Sequence, residues 1–319
     1  MQFLRSYSIA LAALLALVFL LFSPEEVSSS PEQHIVFATK ESLGRLTLLP
    51  ADFDGLNKHP RGRTLGQALG KQTVPANKVL MISFFDNIQG NERAFSLLPP
   101  RVIAALDFHG TGVDDRTIVA MSKLPCLADL KLVDLSDTEI TDASILALSN
   151  LKYLRTLVCS STAIQGSNLT SLLKVTTLRK LYLGCNKIKP EALGRVAQLR
   201  QLECLNLART GLDDKLAENL AKMSNLVHLE ISDNPKLTDK GLALLRTLPK
   251  LKSIDLRNTG VTAKGILAWR RSKLNAIDIL KGQFLPAVER NLISSMKPIT
   301  VSVEDRTSGE HESFFAPLR

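Results

Sequence analysis

Residues 229–266 read LEISDNPKLTDKGLALLRTLPKLKSIDLRNTGVTAKGI, and the second half repeats the plan of the first. ISDNPKLTDKGL and DLRNTGVTAKGI differ in most letters, yet their apolar residues and their Asn or Thr fall at matching places. With that Asn or Thr as a marker, the plan recurs at Asn87, Thr111, Thr138, Thr162, Asn186, Thr210, Asn234 and Thr259, and reaches Gly282 with the polar residue lost. The intervals are 24, 27, 24, 24, 24, 24, 25 and 23 residues, and a period held this closely marks a chain of stacked structural units.

Eight, five and three residues before each marker the chain is apolar. Leu178, Leu181 and Leu183 precede Asn186; Leu202, Leu205 and Leu207 precede Thr210; Leu226, Leu229 and Ile231 precede Asn234; Leu251, Ile254 and Leu256 precede Thr259. Alternation at the last two positions predicts a short strand with one face inward. A helical segment follows, as in TDASILALSNL (141–151), where Thr141 is placed to cap the helix and Asp142 to favour its positive end. Thr238 and Asp239 repeat that pairing, with acidic versions at Asp114–Asp115 and Asp213–Asp214. One such unit cannot bury its apolar face alone, whereas stacked neighbours can. An inward Asn can satisfy main-chain groups of the bend with both a donor and an acceptor, while Thr offers a hydroxyl, so a ladder rich in Thr is expected to be less rigid.

The pattern LxxLxLxxN/T resembles the leucine-rich repeat family over about 70% of the chain, from Val79 to Val303. Its helix starts are similar to those of the ribonuclease-inhibitor-like branch and of bacterial repeats of about 24 residues. The resemblance implies an α/β solenoid, a right-handed β-α superhelix with a parallel concave sheet and helices on the convex side. It also implies a non-catalytic scaffold whose concave face binds a protein or peptide.

The remaining chain divides around this array. Residues 1–29 hold Arg5 and then an unbroken apolar run, IALAALLALVFLLF, from Ile9 to Phe22. Fourteen residues of helix span roughly 21 Å, short of the ~30 Å hydrocarbon core, which fits an export signal better than a membrane span; an uncleaved anchor and a buried or disordered start are the alternatives. Arg5 before the run and Glu25 and Glu26 after it favour a body outside the membrane. Residues 30–75 read as an N-terminal cap or small β extension, with HIVFATK and LGRLTLL strand-like and the stretch 54–78 rich in turn formers. Residues 76–304 carry about nine to ten repeats, closing with a helix and strand in LPAVERNLISSMKPITVSV, and 305–319 form a polar tail.

Composition narrows the function. Aromatics make up 5% of the chain with a single tryptophan, Trp269, which is thin for stacking bases and argues against nucleic acid. The four cysteines fit no disulfide or zinc framework, the five histidines are scattered, and no nucleophile-elbow, phosphate-loop or metalloprotease motif occurs. No catalytic, metal or cofactor site is expected.

The register assigns a concave row four residues before each marker: Ser83, Asp107, Asp134, Val158, Tyr182, Asn206, Glu230, Asp255 and Asp278. Glu230, Asp255 and Asp278 would stand ~4.8 Å apart on neighbouring strands, and like charges placed so call for a counter-charge or a cationic guest. His109, Arg209, His228 and Arg257 add polar handles beside them. These residues are the candidate surface for a cationic protein or peptide. A second, basic row precedes the strands: Arg101, Lys123, Lys152, Lys174, Arg200, Lys222, Arg246 with Lys250, and Arg270 with Arg271. It complements helix C-termini or forms an edge for anionic envelope polymers or lipid head groups. Three functional readings stand: an exported partner-binding scaffold, a passive envelope component held by that basic edge, and an intracellular repeat adaptor.

Overall fold

The computed structural model describes residues 32–37, 41–85, 95, 98 and 101–304. The apolar run at 9–22, the first marker Asn87 and the tail beyond 304 lie outside the described residues. Each repeat places a short strand where alternation puts one. These are β5 (Lys78–Phe84), β6 (Ile103–Asp107), β7 (Leu132–Asp134), β8 (Thr156–Val158), β9 (Lys180–Tyr182), β10 (Cys204–Asn206), β11 (His228–Glu230), β12 (Ser253–Asp255), β13 (Ala276–Leu280) and β14 (Thr300–Glu304). All pair in parallel and in sequence order, so Leu181 lies against Leu205, Leu205 against Leu229, and Leu229 against Ile254. The fold is the expected α/β solenoid.

From β6 onward the return of each unit is helical. Asp115–Met121 (α1), Asp142–Leu148 (α2), Pro190–Val196 (α3), Asp214–Leu220 (α4), Asp239–Leu245 (α5), Ala263–Leu267 (α6) and Pro286–Ser295 (α7) alternate with the strands. In the unit after Thr162 a 3-10 turn, Leu169–Lys174, takes that place. One continuous core runs the length of the stack between sheet and helices, and Leu181, Leu205, Leu229 and Ile254 are each 0% exposed within it.

Both ends are sealed. Ahead of the repeats come β1 (Gln33–Phe37), β2 (Gly44–Pro50), β3 (Arg63–Gln67) and β4 (Gly70–Val74). The turn-rich stretch 54–78 thus contains two strands. β2 pairs antiparallel with both β5 and β3, extending the main sheet to twelve strands, while β1 and β4 form a separate antiparallel pair. Phe84 stacks on Phe108 with ring centroids 4.2 Å apart, and Phe95 meets Phe84 and Phe37 at 5.7 and 6.0 Å, closing the first apolar edge with aromatic rings. At the other end, Leu292, Met296 and Ile299 are buried, and Val301 and Val303 pack against the core from β14.

Two polar ladders tie neighbouring units. Asn186 donates to the carbonyls of Leu183 in its own unit and Cys159 in the one before, at 3.0 and 2.6 Å, and accepts from the Thr162 amide at 2.8 Å. Asn234 does the same with Ile231 and Leu207, and accepts from Gly211 and Leu212. The hydroxyls of Thr111, Thr138, Thr210 and Thr259 donate to the carbonyl three residues earlier in their own unit. Asn therefore staples two units where these Thr hydroxyls close one, which is the physical content of the rigidity expectation. Where the last marker has become Gly282, the next residue substitutes: the Gln283 amide donates to Leu256 and accepts from Asn258.

The second ladder sits at the helix starts. Asp114, Thr141, Asp213 and Thr238 cap their own helices, as the spacing suggested, and Thr262 does the same for α6. The following aspartate reaches onward to the next unit. Asp115 accepts from the Thr141 amide at 2.9 Å and hydroxyl at 2.6 Å, Asp214 from those of Thr238 at 2.8 and 2.7 Å, and Asp239 from those of Thr262 at 2.8 and 2.6 Å. These bonds hold the carboxyls of Asp115 and Asp214 below the usual range against the opposing effect of burial. The approach needs a bare backbone: a Cβ on Gly241 would stand 2.5 Å from Asp214 Oδ1, and one on Gly265 2.1 Å from Asp239 Oδ1.

Two stability measurements check this account. Leu205→Ala should lower the unfolding free energy by ~2–5 kcal/mol as a core truncation, and a loss under about half a kcal/mol would contradict the register. Helix propensity alone predicts that Gly241→Ala stabilises α5 by about 1 kcal/mol. The Asp214 bridge instead makes it destabilising by ~1–2 kcal/mol in urea unfolding, through displaced hydrogen bonds.

Candidate functional site

The concave face is not bare. The loop between β2 and β3, residues 51–62, lies across the sheet. Phe53 packs on Leu49, Ala104, Ala105 and Leu132. Its carbonyl accepts from Lys131 Nζ at 2.6 Å, and the Gly55 carbonyl accepts from Thr156 Oγ1 at 2.6 Å. Gly55 has φ +77, and a Cβ there would meet Lys131 Cβ at 2.5 Å, so only glycine lets the loop run this close. Lys58 then places its ammonium 5.1 Å from the centre of the Tyr182 ring, a cation–π contact above the small apolar cluster of Val158, Tyr182 and Cys204.

The candidate row is less exposed than expected. Asp134, Tyr182, Asn206, Glu230, Asp255 and Asp278 are all buried, at 0–6% exposure, where the register alone implied an exposed centre. Asp107, His228 and Arg257 are half-buried, and His109 and Arg209 are exposed. Cys204, beside this row on β10, is fully buried as well. The four cysteines are unpaired thiols. The physical reason is tertiary: Lys58 of the distant 51–62 loop lies over Tyr182, while Arg257 and the neighbouring strand β14 close round Asp255 and Asp278.

Along the row, the strand register sets Glu230 beside Asp255 and Asp255 beside Asp278, with Ser302 next in β14. Arg257 answers this charge. Its Nε lies 3.0 and 3.1 Å from the two Asp255 oxygens, its Nη2 lies 2.7 Å from Oδ2, and its Nη1 donates to Glu304 on β14. The guanidinium thus spans the strand that carries Asp278. Burial, followed by the Asp255 charge, pushes both Glu230 and Asp278 up to about 7. Asp278 Oδ2 has no hydrogen-bond partner among the described residues. Asp134 is raised by burial, against hydrogen bonds from Ser136 and the charge of Lys58. Burial, then Lys180, lowers His228 to about 4, so its ring is neutral near pH 7. It meets Ser253 Oγ at 2.5 Å.

The outer members stand apart from this cluster. His109 bonds Ser136 Oγ at 3.0 Å and approaches Asp137 at 3.5 Å at the far end of the sheet. Asn206 accepts from the Ala208 amide at 2.9 Å, closing a local turn. Arg209 lies in the left-handed bend after β10 with φ 54, as Asp137, Ser161, Cys185, Asp233 and Asn258 do in their units. The structure therefore gathers Glu230, Asp255, Arg257 and Asp278, adds Glu304 and Lys58, and leaves Asp107, His109 and Arg209 outside. Lys58 was legible only indirectly, through the apolar and neutral residues in the middle of a row expected to face water. Among the described residues no three His, Cys, Asp or Glu side chains converge to hold a metal ion. Nor is any helix among them long and apolar enough to cross a membrane.

A coil of units with strands in register and a continuous apolar spine is a solenoid scaffold. Residues 175–196 and 222–245 match the family model described as Leucine Rich repeat. Within those two stretches the chain matches the leucine-rich repeat model, the fold around them is a leucine-rich repeat solenoid, and stacked units of this kind build an extended concave surface suited to binding. No curated protein sequence gives a match. Among similar solved structures, internalin C2 from Listeria monocytogenes is 19% identical, with 62% of this chain and 80% of that chain covered and a TM-score of 0.45. A leucine-rich repeat protein of Leptospira interrogans is 16% identical, covering 68% of this chain and 58% of that one with a TM-score of 0.46.

The acid cluster makes stability depend on pH in a defined direction. The folded chain keeps protons on Glu230 and Asp278 up to about pH 7, whereas the unfolded chain releases them near 4.5 and 3.8. Their contribution therefore falls as pH rises through that window. His228 acts oppositely, losing stability as pH falls from its ordinary 6.5 towards about 4. Comparing wild type with Glu230→Gln/Asp278→Asn isolates the carboxylates. From about pH 5 to about pH 8, wild type should lose stability relative to the double variant in thermal unfolding. A gap that does not change with pH would mean that the cluster holds no protons.

Proposed function

We propose that this chain is a non-catalytic scaffold, exported to the cell envelope or exterior, that binds a protein or peptide on the sheet side of its solenoid. A cationic side chain of the partner is received at the row formed by Glu230, Asp255 and Asp278. The observation that carries this reading is the self-contact: the same face already takes a polypeptide segment through an anchored Phe53, two carbonyl hydrogen bonds and the Lys58 ammonium. Two carboxyls that hold protons near neutrality and an unpartnered Asp278 oxygen supply the reserve of negative charge. Reception requires Arg257 or Lys58 to swing aside, and it draws protons off Glu230 and Asp278. Export is supported by the apolar run at 9–22 with Arg5 before it and Glu25 and Glu26 after it.

The test is a peptide-display selection on the immobilised chain, followed by calorimetry of the winners. Peptides carrying Lys or Arg should dominate, bind with proton release near neutral pH, and lose about tenfold or more in affinity to Glu230→Gln/Asp278→Asn. Winners without cations, or equal affinity for the double variant, would remove the reading. For export, amino-terminal sequencing of the mature chain from envelope and medium fractions should show either a start just after the apolar run or an intact leader in membranes; an intact leader in the cytosol would overturn it.

A further inference from the structure

On the helix side, far in sequence from the β2–β3 loop, the α5–β12 and α6–β13 connections enclose a cleft of about 810 Å³. Its lining includes Arg246, Lys264, Arg270, Arg271 and Lys273 and no carboxylate. All five cations are exposed, and none forms an ion pair with a described carboxylate. The local fold makes the opening: α6 has five residues where α4 and α5 have seven. Arg246 Nη1 donates to the Ala268 carbonyl at 3.2 Å, tying one wall to the other. Trp269, 3% exposed, lies in the same lining.

Helix dipoles account for Arg246 and Lys264, at the ends of α5 and α6, and not for the rest of this concentration. A helix C-terminus favours a cation within its last turn, whereas Arg270, Arg271 and Lys273 lie beyond the Ala268 cap. Five like charges around one opening repel one another unless an anion sits among them. Adjacent arginines offer planar forks suited to tetrahedral oxyanions, and the volume falls in the range of small-molecule pockets and well above that of one phosphate ion.

We propose that this cleft is a binding site for a phosphate-bearing anion, either a soluble linked-phosphate compound or the head group of an anionic phospholipid. The site is separate from the sheet-side row and does not depend on it. Trp269 is the chain's single tryptophan, so its fluorescence reports on this cleft. Inorganic tripolyphosphate added to the full chain should change that fluorescence saturably and raise the thermal midpoint, and both effects should weaken with added salt. Arg270→Ala/Arg271→Ala should weaken binding by about tenfold or more. Lys123→Ala/Lys152→Ala, on the same basic row but away from the cleft, should bind as wild type does. Phosphatidate-containing vesicles that bind the wild-type chain and not the Arg270→Ala/Arg271→Ala variant would assign the head group. Phosphatidate vesicles that fail to bind while tripolyphosphate does would assign the soluble compound. If neither fluorescence nor midpoint responds, if the arginine variant binds as tightly, or if sulfate at equal ionic strength acts alike, the proposal falls.

Discussion

Each repeat can bury its leucines only against the repeat beside it, and the rest of the molecule depends on that lateral packing. A three-residue strand has too few hydrogen bonds and too little apolar surface to persist alone. Set between two others, its backbone is paired on both edges and its leucine is closed from above and below. Leu181, Leu205, Leu229 and Ile254 form such a column. The aspartate and asparagine ladders work along the same axis, since Asp214 completes the helix start of the following unit and Asn234 the bend of the preceding one. Side chains that serve a neighbour thus couple the units along the stack. The same dependence explains the ends: a terminal repeat lacks one neighbour, and aromatic packing around Phe84 at one end and α7 at the other takes its place.

Stacking in register also creates the tension on the sheet. Residues at one repeat position are brought within a strand spacing of each other, whatever their charge. For Glu230, Asp255 and Asp278 this packs three carboxyls in a row under low exposure. The chain responds with Arg257 bridging Asp255 and Glu304, with the field of Lys58 on Glu230, and with raised proton affinity at Glu230 and Asp278. Over the middle of the face, Val158, Tyr182 and Cys204 lie under the β2–β3 loop. One half of the sheet is therefore engaged by the chain's own segment, and the other holds the buried acidic row with Arg257.

The repeat positions were readable because burial follows the period directly. Leu205 faces inward for the same reason as Leu181 and Leu229, and a count of residues is enough to place it. Gln283 was harder to read, since it stands one place past the lost marker at Gly282 and acts through a longer side chain. The role of Asp214 was half legible: its place in the first turn was plain, while its bonds to Thr238 belong to the next unit. Exposure on the concave row was the larger difference. The pattern places Asp134 and Tyr182 on the correct face, yet a face stays open only if nothing distant folds onto it.

By itself the amino-acid sequence determined the stack, its register, the sheet and helix sides and the adjacency of the three acidic residues, since all of these follow from local spacing repeated many times. The tertiary structure alone decided that residues 51–62 cover the sheet, that Arg257 reaches Glu304, and that five cations surround one cleft beside Trp269. These are contacts between segments with no shared period. They arise when a non-repeating piece meets the array, or when one shortened helix alters its neighbourhood, and no count along the chain records where such pieces come to rest.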